Sequence, residues 1–432
     1  MIFKSTVSVS SLPVSLEEFR LRALAWANQF SLVAYYTSNN IPYPYQGFKH
    51  MLAVSDGPAL PIDETSALSS FRTIIQRTPD YYCGFFNYDL KNQIETLSSK
   101  NHDHIGFPLI FFFRPEVTIF FDSAESISIA SSVDSIAAII DAILLTPAPF
   151  AKGNQSVQVK QRVNPTTYKA TVERIKNHIL EGDVYELNYC IEFYAEQAVV
   201  TPLDLFLALN TTSPTPFAGY LKAEDKYLVC ASPERFLKKE GRKLTSQPIK
   251  GTIRRGATPE EDVLLQQQLR NSEKELAENM MIVDLVRNDL RKSCSTGTVR
   301  VEEMFGIYGF KQVSQMISTI TGELQPGKDL TDALRGAFPM GSMTGAPKIR
   351  AMELIEEIEN TKRGLYAGAY GYLTPEQDAD FNVVIRSIQY NASTQYLSFM
   401  VGSAITYDSD PEQEYQECLL KAQAILKVLG QG

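Results

Sequence analysis

Short strand-forming runs that succeed one another between sharply capped helices are the feature that most limits what this chain can become. Residues 227–231, 366–373, 381–390 and Tyr396–Ile405 are each rich in aromatic and β-branched side chains. The helices around them announce their starts. Thr258-Pro-Glu-Glu261 is a capping box with proline at the first helical position, and it opens a helical region running towards Arg291. Asp410-Pro-Glu-Gln413 opens the last helix in the same manner. Tyr168, Val172, Ile175 and Ile179 fall at helical spacing, and Gly182 follows as a stop. Strands in succession, rather than strictly alternating with helices, predict an α+β fold built on antiparallel sheets.

The first 150 residues mix β-rich runs (107–113 and Val117–Phe121) with helical stretches such as 16–30. They show no catalytic pattern and read as a scaffold region, expected to belong to the same globular unit as residues 151–432. Between the two, Thr146-Pro-Ala-Pro-Phe-Ala-Lys-Gly-Asn-Gln-Ser156 has the composition of a surface connection. A formal charge of −9 without a long basic run argues against a nucleic acid or an anionic membrane as partner. The most apolar stretch, 107–121, is broken by Pro108, Arg114, Pro115 and Glu116 and falls short of the ~20 residues that span a bilayer. The start of the chain lacks the pattern of a signal peptide, so a cytoplasmic location is expected. Cys83, Cys190, Cys230, Cys294 and Cys418 show no short paired spacing, which suits reduced thiols better than a disulfide framework or a zinc site.

Four places carry residues suited to chemistry. In Ser246-Gln-Pro-Ile-Lys-Gly-Thr252, Lys250 is followed by Arg254 and Arg255. Burial together with those cations would push its pKa down, as a nucleophilic amine requires, although a lysine before glycine also suits a solvated turn. Glu275 with Glu278, and Glu414 with Glu417, are pairs one helical turn apart. Each pair faces one way, which fits both a solvated acidic face and a site for Mg²⁺, whose hard oxygen ligands are few and completed by water and substrate. Lys421, a turn after Glu417, is either an ordinary helix ion pair or a carboxylate ligand. Phe338-Pro-Met-Gly-Ser-Met-Thr-Gly-Ala-Pro-Lys348 is glycine-rich and leads into a helix in which Ile349, Met352 and Ile355, with Glu356, share a face; it is not a Walker A loop. Ser232-Pro-Glu-Arg-Phe236 follows a strand and places Glu234 either in a turn or where a general acid could sit.

Taken in order, Ser232–Phe236, Pro248-Ile-Lys-Gly-Thr252, Ala277–Asp289, Phe338–Lys348, Arg363–Tyr372, Phe381–Ser387 and Ser409–Ala422 closely resemble the chorismate-utilising enzymes. That family includes the anthranilate, aminodeoxychorismate, isochorismate and salicylate synthases. The resemblance covers roughly residues 155–430, and Cys83-Gly-Phe-Phe-Asn-Tyr-Asp-Leu-Lys-Asn92 extends it more weakly. It implies two antiparallel sheets packed with outer helices. It also implies Glu278 and Glu417 as principal Mg²⁺ ligands with Glu275 and Glu414 nearby, and Tyr366, Arg386 and Lys421 on the substrate carboxylates, with Gly402 and Thr344 lining the site. Lys250 stands where anthranilate synthases typically carry alanine and aminodeoxychorismate synthases a lysine that attacks C2 of chorismate, with Glu234 as the acid. The resemblance therefore implies component I of an aminodeoxychorismate synthase, acting on chorismate and ammonia. Isochorismate and salicylate synthases use instead a lysine in the strand that here reads Asp183-Val-Tyr-Glu-Leu-Asn188, where Glu186 or its neighbour takes the place.

Ammonia needs a source, and no Gly-x-Cys-x-Gly nucleophile segment occurs in the sequence, so a separate glutamine amidotransferase subunit is implied. The chain departs from the family wording at three positions. Gln315 stands where many relatives have histidine, leaving hydrogen bonding as its role. Ser403-Ala404 replaces part of a Gly-Ala-Gly run, which is expected to narrow the space beside a substrate carboxylate. Cys418 replaces a threonine and is expected to change packing only.

Overall fold

The computed structural model describes residues 3–149, 156–311 and 313–431. Among these, two antiparallel sheets, of twelve and nine strands, face one another, with helices outside them. The fold is α+β, as the strand order predicts. The middle of the larger sheet runs Leu32–Thr37, Phe217–Ala223, Lys226–Ser232, Ser387–Asn391, Tyr396–Ile405, Glu186–Ala195. The smaller runs Lys243–Gln247, Arg235–Glu240, Ala379–Val383, Ala369–Leu373, Tyr82–Phe86, Ile110–Phe113. Strands from either side of the 146–156 connection thus share each sheet; residues 150–155 of that connection lie outside the described residues.

One antiparallel ribbon belongs to both sheets. In the larger sheet Lys226–Ser232 pairs with Ser387–Asn391, and in the smaller Arg235–Glu240 pairs with Ala379–Val383. The two chains cross from sheet to sheet at 233–234 and 384–386. Pro233, which has no N–H to give a ladder, ends the first strand. Arg386 turns the other in a left-handed conformation (φ 52°). The 381–390 run, read from sequence as one strand, is therefore two strands in two sheets. Val383 N–H to Glu234 O (3.0 Å) and Ala231 N–H to Arg386 O (3.2 Å) keep the ribbon paired through the crossing.

Between the sheets the packing is largely aromatic. Tyr36 and Tyr370 stack at 4.6 Å, and the Tyr370 hydroxyl reaches the backbone oxygens of Tyr35 and Tyr220 in the opposite sheet. Gly219 makes room for that ring, since a Cβ there would lie 2.4 Å from Tyr370 Cε1. On its outer face the larger sheet is covered by Pro165–Leu180, Pro202–Thr212 and Pro411–Val428, and the smaller by Glu273–Arg291 with Leu330–Ala337 and Ala67–Arg77 behind it. Tyr168, Val172 and Ile175 are buried as their spacing predicts, and Gly182 takes φ 83° after the helix.

The helical region from Thr258 to Arg291 is two helices. Thr258 caps Pro259–Arg270, the chain breaks at Asn271, and Ser272 caps Glu273–Arg291 by accepting from Glu275 N–H. The restart lets the second helix set its own direction along the smaller sheet. Ile349 is also misplaced by the sequence reading: it is 47% exposed, while Ala351, Met352, Leu354, Ile355 and Ile358 form the buried side of Lys348–Ile358.

Candidate active site

The ribbon crossing forms the floor of a cavity of about 560 Å³ bounded by strands of both sheets and by the helices Glu273–Arg291 and Pro411–Val428. Glu234, Lys250, Gln315, Tyr366, Arg386 and Gly402 line it, and the two helices add Glu275, Glu278, Glu414, Glu417 and Lys421. Thr344 is not brought to the wall. It is fully buried behind the glycine-rich loop, with its hydroxyl donating to Met340 O and Gly341 O, because the loop turns back on itself there. The loop's contribution to the cavity is Ser342 and Met343 instead.

Glu234 is held on both sides. Next to it Arg235, with no exposed surface, forms a two-pronged ion pair with Asp380 (2.9 and 3.0 Å) and bonds Gln247. A buried guanidinium satisfied in this way fixes the backbone of the crossing, and removing one partner of such a pair costs about 3–5 kcal/mol. Ser342 donates a 2.6 Å hydrogen bond to Glu234 Oε1. Burial pushes the Glu234 carboxyl up to about 7, against the opposing influence of Ser342 and Lys250. A carboxyl in that range exchanges a proton near neutrality.

Lys250 reaches the cavity because its strand is interrupted. Ile249–Arg254 pairs with Val313–Glu323 but shifts register between Ile249 and Thr252, and Gly251 sits there at φ +93°. Such a bulge re-aims a side chain, and the left-handed conformation explains the glycine after the lysine. The Nζ donates to Glu186 Oε1 at 2.8 Å, with both side chains buried.

The charge environment of Lys250 is the reverse of the sequence expectation. Burial lowers its pKa, but the carboxylates of Glu186, Glu278 and Glu417 outweigh burial and raise it. The arginines thought to depress it are engaged elsewhere, Arg254 with Glu261 (2.5 Å) and Arg255 with Asp262 (2.7 Å). At rest Lys250 is an ammonium.

Arg386 is the complementary case. Its guanidinium makes no hydrogen bond or ion pair among the described residues, and burial lowers its pKa. An unpaired guanidinium, half-buried at the cavity wall, is a ready receptor for a carboxylate, to which it can donate two parallel bonds. Beside it lies Tyr366, whose hydroxyl burial makes hard to ionise. Gln315 adds a buried amide oxygen without a partner. Lys421 is committed to the protein, bonding Gly402 O (2.8 Å) and Glu417 (2.5 Å). Gly402 has no room for a side chain, since a Cβ would lie 2.5 Å from Cys190 Sγ. Ala404 lines the cavity, but Ser403 points away to Tyr168 (2.9 Å), so the expected narrowing is not made by the serine. Cys418 packs against the same tyrosine, and all five cysteines are buried and unpaired.

The two glutamate pairs face each other across the cavity with Lys274 between them, 3.3 Å from Glu414 and 3.8 Å from Glu278. Burial raises Glu278 to about 7 despite Lys250, and Glu275 is raised for the same reason. Burial would raise Glu417 too, but Lys421 reverses it and the net shift is downward. Glu278 Oε1 is buried without a hydrogen bond. No three of these carboxylates converge. The one trio among the described residues with ligand atoms all within 4.8 Å of one another is His178, Glu181 and Asp183 at the surface, where Arg350 already pairs with Asp183. The four glutamates therefore suit a cation that takes one or two protein carboxylates and leaves its other positions to water and substrate, as Mg²⁺ does.

Sequence reasoning missed Ser342, Lys274 and the contact made by Glu186. The signal for the last was present in principle: a buried lysine needs an anionic partner, and Glu186 is an acid in a strand otherwise made largely of apolar and aromatic residues.

A cavity that offers a free guanidinium, a carboxyl near neutrality and a buried amine is equipped to bind a small anionic molecule and change it chemically. The sequence profile described as chorismate binding enzyme matches residues 32–427, and the chain belongs to that family of chorismate-utilising enzymes. It is 34% identical over 382 residues to aminodeoxychorismate synthase component 1 of Bacillus subtilis (strain 168), covering 84% of this chain and 81% of the relative. It is 35% identical over 356 residues to anthranilate synthase component 1 of Thermus thermophilus, covering 80% and 76%. Among solved structures, anthranilate synthase component I from Streptococcus pneumoniae superposes with a TM-score of 0.74 at 28% identity, over 97% of this chain and 91% of the other. Among the described residues no helix is long and apolar enough to cross a membrane.

Proposed function

We propose that this chain is component I of an aminodeoxychorismate synthase, converting chorismate and ammonia to 4-amino-4-deoxychorismate, the precursor of 4-aminobenzoate and folate. The observation that carries the reading is Lys250, delivered by its bulge into the same cavity as Glu234. Anthranilate synthase relatives are about as similar over about four fifths of the chain, so the choice rests on this amine.

Arg386 and Tyr366 receive one substrate carboxylate. Glu278 and Glu417, with Glu275 and Glu414 beside them, would hold Mg²⁺; a Glu278 Oε1 that accepts no hydrogen bond and the all-oxygen donor set suit it. When bound, the cation supplies positive charge to a second substrate carboxylate that these glutamates would otherwise repel. Lys250, as the amine, bonds to C2 while the C4–O bond breaks, and Glu234 gives its proton to the departing hydroxyl, which leaves as water. Ammonia then bonds to C4 and the C2–N bond to Lys250 breaks. One difficult displacement becomes two easier ones. Gln315 stays as a hydrogen-bonding wall. The ammonia comes from a glutamine amidotransferase subunit, and the setting is the cytoplasm.

The test is to incubate the chain with chorismate, magnesium chloride and ammonium and to identify the product by mass spectrometry. Aminodeoxychorismate is expected, and anthranilate would refute the reading. Lys250→Ala should lower its formation by several orders of magnitude and abolish the chorismate-derived adduct on the intact protein when ammonia is withheld. Glutamine should replace ammonium only once an amidotransferase subunit is added.

A further inference from the structure

An amine that must attack carbon is found here as an ammonium, and something has to take its proton. Five carboxyl groups face Lys250 from four directions. Glu234 lies at the ribbon crossing, Glu275 and Glu278 on one helix, Glu417 on another, and Glu186 at the start of the strand Glu186–Ala195. Lys274 and Lys421 are the neighbouring cations, and they offset Glu278, Glu414 and Glu417. Of the five, Glu186 is the one recorded within hydrogen-bonding distance of the Nζ.

The other four are committed. Glu234 must carry a proton to the leaving oxygen and cannot also remove one, and the two helical sets face the cation and substrate. Glu186 is different in position. It is 1% exposed, it does not line the cavity, and its backbone is fixed by pairing with Ala346. One carboxylate oxygen accepts from Lys250, while the other, Oε2, is buried with no partner at all.

We propose that Glu186 is the proton acceptor for Lys250, acting from behind it as a positioning residue that turns the ammonium into the attacking amine. The proton moves from Nζ to Glu186 Oε1 along the existing hydrogen bond. An ion pair becomes a neutral lysine and a neutral carboxylic acid, and the lone pair freed on nitrogen forms the bond to C2. When ammonia later expels Lys250 as an amine, the same proton returns and the ion pair is restored. No water is needed and no net charge moves in the buried pair. The inference rests on Lys250 being the nucleophile, as proposed above.

The consequence is a pH signature. With Glu186 present, the proton stays inside the pair, so attack needs no proton loss to solvent. In Glu186→Gln the amine exists only when solvent has taken the proton, so its fraction grows about tenfold per pH unit below the lysine pKa. Dividing the kcat/KM of Glu186→Gln by that of the wild type, at equal free ammonia and saturating magnesium chloride, cancels the titration of Glu234 and of ammonium. The ratio is expected below about one-tenth near pH 6.5 and to climb about tenfold per pH unit towards pH 8.5. Glu186→Asp, which keeps a carboxylate, should give a ratio that does not vary with pH. A ratio for Glu186→Gln that is flat with pH, at any level, overturns the proposal. Lys250→Ala belongs in the same series: if it retains near-normal rates, the nucleophile reading itself fails. If it is inactive while the Glu186→Gln ratio is flat, only the role given to Glu186 falls.

Discussion

Glu234 offers the sharpest test of the acid chemistry, because its environment fixes both a rate profile and a stability profile. Burial moves its carboxyl from 4.5 to about 7, which corresponds to roughly 3 kcal/mol. At pH 7.5 about a quarter of the enzyme then carries the proton, against roughly 0.1% for an unshifted glutamate, an increase of roughly 200-fold in the competent acid. The perturbation is Glu234→Gln, which keeps an acceptor for the Ser342 hydroxyl and removes the proton. The assay is kcat/KM for chorismate between pH 5.5 and 9 at constant free ammonia. In the wild type it should bend downward at about pH 7 and fall about tenfold per unit; in the variant it should drop by about 10²–10⁴ at pH 6 and lose the bend. The sign for stability follows from the raised pKa. The contribution of the neutral carboxyl is fully present below pH 4.5, is lost as the pH rises through about 7, and stays lost above it. Urea unfolding should therefore show Glu234→Gln gaining on the wild type between pH 4.5 and 8, by up to about 3 kcal/mol. A wild-type profile without a break near 7, together with a stability difference that ignores pH, would refute a carboxyl held neutral by burial.

Two further perturbations probe other parts of the site. Glu417→Gln should raise the magnesium concentration needed for half-maximal rate by about tenfold or more while leaving the unfolding midpoint close to the wild type without magnesium, and calorimetric titration with magnesium chloride checks it. Gly251→Ala meets φ +93° and a contact 3.1 Å from Glu275, so it should cost about 1–2 kcal/mol and lower kcat more than it raises KM, because the bulge that aims Lys250 is strained. Steady-state kinetics with unfolding curves checks this one; unchanged kcat would show that the bulge does not aim the lysine.

What the sequence displayed of the fold was whatever depends on neighbours in the chain. The caps at Thr258 and Asp410 are local hydrogen bonds, Thr258 Oγ1 from Glu261 N–H and Asp410 Oδ1 from Gln413 N–H, and both were legible. So was the strand Tyr396–Ile405, largely apolar because it is buried along its whole length. The 381–390 run was not, since nothing in Val384-Ile-Arg386 signals a change of sheet. The crossing exists because a second chain, through Pro233, bends at the same level and the two remain bonded. That is a tertiary fact.

The site divides along the same line. Spacing placed Glu275 with Glu278 and Glu414 with Glu417, and the structure brings all four to one cavity. The electrostatics of Lys250 could not be read this way. Arg254 and Arg255 are near it in sequence, but each meets an acid seven residues on that begins the next helix, and neither sets its charge. The residue that does is Glu186, 64 positions away. Proximity along the chain gave the wrong sign for the pKa because a strand spreads successive side chains over opposite faces, whereas sheet stacking brings in partners from another strand altogether. A buried lysine should accordingly be read with the carboxylates that could reach it across sheets. In the sequence, Glu186 or its neighbour stands where the isochorismate and salicylate synthases carry a lysine. Its meaning appears only when Lys250 is seen beside it: two cations in contact there would repel, and exchanging one for a glutamate makes a proton-transfer pair.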